Sequence, residues 1–181
     1  MPSQFVISDG LTLRVEDKLI LLCARANADA EIRARIESVT SANESDWDYF
    51  YQLARRHSVV PLIYKQLSSI PAAKIPADQL ARLKANYQEN LARNLLLTAE
   101  LCRILENFAA EGIEAVPYKG PALAIYAYGK LDLRRFVDLD ILVRKADVLR
   151  AKDLLIAQGF ICGTPWTDAQ QALLMRTQHN L

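Results

Sequence analysis

Residues 133–143 read Leu133-Arg134-Arg135-Phe136-Val137-Asp138-Leu139-Asp140-Ile141-Leu142-Val143, and their alternation decides the fold. A period of two predicts a strand over 135–143, with Val137, Leu139, Ile141 and Val143 on a core-facing side. Phe136, Asp138, Asp140 and Leu142 then share the other side. Two carboxylates two residues apart on one strand face have Cα atoms roughly 7 Å apart, from about 3.3 Å of rise per residue. Their oxygens can converge on a hard divalent cation, which marks Asp138 and Asp140 as candidate catalytic, metal-ligating residues for Mg²⁺ (or Mn²⁺).

Working outward, residues 113–118 (Ile-Glu-Ala-Val-Pro-Tyr) read as a preceding strand and Lys119-Gly120-Pro121 as a tight turn into a short helix over 122–128. A glycine between strand and helix lets the backbone approach a phosphate at the helix N-terminus, with Lys119 adding a mobile charge. Lys119 and Gly120, together with the planar donor forks of Arg134 and Arg135, are the candidate nucleotide-binding residues. Gly120 lies 18 positions before Asp138, enough for a short helix and a return strand that bring the two sites together. A helix over 146–158 and a third strand from Gly159 complete a helix-strand alternation. The reading is α+β: a helical N-terminal region, 1–111, and a core with a small mixed sheet, 112–181.

The helical region carries its own signals. Apolar residues at helical spacing over 16–38 predict one or two amphipathic helices. Asp46 is an N-cap for a helix bearing Trp47, Phe50, Leu53 and Ala54, and Val60-Pro61-Leu62 opens the next. Residues 77–110 contain no Pro or Gly and place Leu80, Leu83, Tyr87, Leu91, Leu95, Thr98, Leu101, Cys102 and Leu105 on one stripe, ended by Gly112. His57, with no second ligand-type residue beside it, is assigned no role.

Composition sets the bounds. In 181 residues, 51% hydrophobic content supports a buried core, and 22 Lys+Arg against 21 Asp+Glu give no global field for nucleic acid or membranes. Three dispersed cysteines, Cys23, Cys102 and Cys162, form no C-x-x-C pair and read as reduced structural thiols. No signal-peptide pattern or membrane-length apolar run is visible, so the expected setting is cytoplasmic.

The segments Lys119-Gly120-Pro121-Ala122-Leu123, Tyr128-Gly129 and 133–143 together resemble the bacterial nucleotidyltransferases of the polymerase-β-like superfamily. Cores in that group read K-G-x-A-L, then Y-G, then L-R-x-x-x-D-L-D-[IL]-L-V. The resemblance is strongest over 116–160 and looser from Leu19 onward. It implies metal-dependent transfer of a nucleoside monophosphate from an NTP to an acceptor hydroxyl, with release of pyrophosphate. The acceptor stays open among a small molecule, a protein side chain and an RNA end. Many superfamily members carry Gly-Ser at the phosphate turn, where this chain has Lys-Gly-Pro, so Lys119 is the substitute contact. The superfamily also uses a third carboxylate on a later strand. Asp147, Asp153 and Asp168 sit in or before helices, so none fits, and the expectation is a core truncated at Leu181 and catalytically incompetent. The alternative is a non-catalytic nucleotide-binding or protein-interaction module, its working surface around Trp47, Tyr49 and Tyr51.

Overall fold

A computed structural model describes residues 13–42, 45–71 and 73–161. Its helices are α1 (Val15–Cys23), α2 (Ala30–Ala42), α3 (Trp47–Arg56), α4 (Val60–Ser68), α5 (Ala77–Ala110), α6 (Gly120–Tyr128) and α7 (Val148–Ala157). Strands β1 (Ala115–Pro117) and β2 (Ile141–Val143) pair antiparallel, Ala115 opposite Val143 and Pro117 opposite Ile141. The α+β class is thus observed, its sheet among the described residues being this two-stranded pair. None of the described helices is long and apolar enough to cross a membrane.

Chain contacts divide into two compact units: Met1–Leu95 with Ala124–Val137, and Leu96–Leu123 with Asp138–Leu181. The cut expected near Gly112 follows the change from helix to strand. The contact boundaries fall within α5, within α6 and before Asp138.

The first unit packs Leu19, Cys23, Ile36, Phe50, Ala54, Ile63 and Leu83 into one core. The Asp46 side chain accepts from the Tyr49 backbone N–H, as its N-cap position requires, and Pro61 sits in the first turn of α4. Glu16 is buried, yet its carboxylate accepts from the Asp46 N–H at 2.7 Å and pairs with Arg14. Trp47 packs against the core and Tyr51 is buried under Arg82, 3.8 Å from its ring centroid, while the Tyr49 hydroxyl donates to Asp17. Of the aromatic residues in the expected working surface, Tyr51 is buried while Trp47 and Tyr49 are half-buried. His57 is the exposed C-cap of α3. Cys23 is fully buried, and desolvation pushes its thiol up to about 12, while Cys102 is exposed rather than on the packed stripe.

The second unit is built around Ile104, Phe108, Ile113 and Ala151, with Leu139, Ile141, Val143, Leu154 and Leu155 against them. Gly112, at φ 68°, ends α5 in a left-handed residue that a side chain would strain; its N–H donates to Ala109 and the next, from Ile113, to Phe108. Ile113 then packs into the same cluster as Phe108, the apolar contact that accompanies this cap. Arg150 donates to the Glu111 carbonyl at 2.7 Å, a cation placed at the negative end of α5.

Both predicted strands are shorter in the structure. β2 begins at Ile141 because its partner stops at Pro117, after which only the Tyr118 N–H still reaches across, to the Asp140 carbonyl. The period-two reading holds for Leu139, Ile141 and Val143 facing the core with Leu142 outward. It fails at 136–137, where Phe136 is buried and Val137 exposed. The third strand is also corrected over its described part: the Gly159 and Phe160 N–H groups cap α7, donating to Ile156 and Leu155, so these residues end a helix. Cys162 and the rest of that expected strand lie outside the described residues, as does any later strand able to carry a third carboxylate.

Candidate functional site

Four of the six singled-out residues belong to the second unit: Lys119, Gly120, Asp138 and Asp140. The antiparallel register brings the chain at Tyr118 to Asp140. Tyr118 N–H donates to the Asp140 carbonyl at 2.9 Å, one step beyond the Pro117–Ile141 pair. From that bond the chain runs on to Lys119 and Gly120 on one side and back to Asp138 on the other. Alternation puts Asp140 on the side of Leu142, opposite the core-packed Leu139, Ile141 and Val143. That side is open: Val116, Tyr118 and Leu142 are all more than half exposed.

Asp138 is exposed and Asp140 half-exposed, and neither carboxylate enters an ion pair among the described residues. Both acids precede β2 rather than sitting within it, so their spacing is not fixed by a hydrogen-bonded ladder. Hard carboxylate oxygens open to solvent suit Mg²⁺ or Mn²⁺, which retain several water ligands. No group of three or more His, Cys, Asp and Glu side chains assembles among the described residues.

Gly120 begins α6 in a left-handed conformation, φ 53°, turning the chain sharply out of β1. Lys119 is exposed, its ammonium 5.3 Å from the Tyr118 ring centroid. Pro121 has no N–H, and the Leu123 N–H is taken by the Lys119 carbonyl at 3.4 Å. The helix end thus has fewer donors for an anion than the four of an uncapped terminus.

Arg134 and Arg135 belong to the first unit, where α5 holds the segment bearing them. Asn94 donates its amide to the carbonyls of Leu131 and Arg134, the latter at 2.8 Å, and Asn90 to that of Asp132 at 3.3 Å. The Tyr87 hydroxyl donates to the Asp132 carboxylate; burial first, then this bond, push the phenol up to about 12. Tyr87, Asn90, Asn94 and Asp132 were absent from the sequence-based candidates. Their signal was available: 87, 90 and 94 follow helical spacing from Leu83, and asparagine in mid-helix has poor propensity without a tertiary partner.

Against known families, the chain matches that of the uncharacterised nucleotidyltransferases over residues 43–180. It belongs to that family, and the matched span contains all six candidate residues. Comparisons with curated proteins and with solved structures gave no match.

Proposed function

We propose that this nucleotidyltransferase is of the polymerase-β-like, metal-dependent kind, moving a nucleoside monophosphate from an NTP to an acceptor hydroxyl with release of pyrophosphate. Asp138 and Asp140 hold Mg²⁺ or Mn²⁺, and the Lys119–Gly120 turn meets the triphosphate. The observation that supports this reading is the Tyr118–Asp140 backbone bond, which joins the residue before the turn to one of the two acids. The divalent ion would supply charge neutralisation at the phosphates. The chain's own part is electrostatic and positional. The two acids fix the cation side of the site, Gly120 lets the backbone come close, and the Lys119 ammonium contributes a movable charge for the β- or γ-phosphate.

The acceptor class stays open among small molecule, protein side chain and RNA end, and a cytoplasmic setting fits the supply of NTP and Mg²⁺. Nucleotide binding is a more direct test than pyrophosphate release. Lys119→Ala is expected to weaken all four NTPs alike, about tenfold for one lost charge-assisted contact. Competition binding with the four nucleotides checks it. Loss confined to one base, or no loss, removes Lys119 from the phosphate site.

A further inference from the structure

We propose a second ligand site, within the first unit, for a small phosphate monoester that also carries a hydroxyl. It rests on residues of the first unit, Arg135 among them, and on no metal. A cavity of about 70 Å³ is lined by Arg55, Arg93, Arg135, Ser58, Glu89 and Asn90, among others. At roughly 10–15 Å³ per water-sized group, that space takes about five to seven heavy atoms, a phosphate group and a hydroxyl, and it is open enough for the rest of a ligand to lie outside it.

Charge points the same way. Three guanidinium groups face one carboxylate, and that carboxylate, Glu89, is already joined to Arg93 at 3.0 Å. Neither Arg55 nor Arg135 makes an ion pair among the described residues; Arg55 rests 5.9 Å from the Tyr51 ring centroid. Guanidinium forks recognise tetrahedral oxyanions through paired N–H bonds. Ser58, at φ 58° the one non-glycine residue in the left-handed region among those described, places a hydroxyl at the same rim.

The independent sign of a ligand is Asn90. It is 3% exposed, and its Nδ2 is committed to the Asp132 carbonyl, which fixes the amide orientation. Its Oδ1 is left buried with no hydrogen-bond partner. An unsatisfied amide oxygen is costly, and only a donor can relieve it. The dianion of a phosphate monoester has no donor to give, whereas a hydroxyl beside it has one. The ligand class that satisfies both features is a phosphorylated polyol.

Calorimetric titration of the full chain in EDTA with ribose 5-phosphate, ribose and inorganic phosphate tests this. Ribose 5-phosphate should bind without divalent metal, at least about tenfold more tightly than either of the others. Arg55→Gln and Arg135→Gln should each weaken it about tenfold. Asn90→Leu should reduce ribose 5-phosphate to the level of inorganic phosphate. Should the Asn90 variant fail to fold, the two arginine variants, at exposed positions, decide alone. Equal affinity for ribose and ribose 5-phosphate, indifference to both arginine substitutions, or a requirement for Mg²⁺ would each overturn the proposal. Loss of Mg²⁺-dependent NTP binding has no bearing on it.

Discussion

The two units handle polar side chains in opposite ways. In the first, Asn90 and Asn94 are buried and spend their amide N–H groups on the backbone carbonyls of 131–134. In the second, Lys119 and Asp138 stand exposed, and the packing is left to Ile104, Phe108, Ile113 and the inward side of β2. The amide N–H groups of the first set find their partners in the fold and hold it together. An exposed acid contributes little to folding and is available to a ligand.

That contrast can be broken by exchanging which set is removed. Asn94→Ala deletes donors to two carbonyls and is expected to destabilise the chain by about 2–4 kcal/mol, read from chemical denaturation. A loss under about 0.5 kcal/mol would reduce Asn94 to a bystander. Tyr87→Phe, which strips one oxygen of Asp132 of its donor, should cost less, about 1–3 kcal/mol.

Tyr87 also sharpens the comparison through pH. Burial and the bond to Asp132 push its folded phenol up to about 12 from the ordinary 10.0, so the folded state keeps the proton longer than the unfolded state. The stabilisation it contributes is complete below pH 10 and is lost as pH rises from about 10 to about 12. Melting temperatures across that window should fall more steeply for the wild type than for Tyr87→Phe. Parallel curves would remove Tyr87 from the buried network.

How much of this the sequence disclosed depends on where each residue finds its partner. Asp138, Asp140, Lys119 and Gly120 were legible because their value lies in local spacing and in a turn. The inward side of β2 was legible at Leu139, Ile141 and Val143 for the same reason, and it failed at Phe136, which is buried in the first unit and outside the cluster that takes Leu139. The α5 stripe was misdrawn in its middle. Following apolar residues selected Leu91 and Leu95, yet Leu95 is 51% exposed, and the buried line passes through Asn90 and Asn94. Their partners are backbone carbonyls some 40 residues away, for which side-chain chemistry gives no sign. Beyond Leu101 the line continues through Ile104 and Phe108, two of the core residues the stripe omitted.

The central claim is that Asp138 and Asp140 form one metal site for a nucleotide. Titration of the wild type, Asp138→Asn and Asp140→Asn with a non-hydrolysable NTP, with Mn²⁺ and in EDTA, tests it most directly. Wild type is expected to bind only with Mn²⁺, and each variant to lose at least about a hundredfold in affinity while its melting temperature stays within about 2 °C, as surface substitutions do. Nucleotide affinity unchanged in both variants, or equally strong in EDTA, would contradict it.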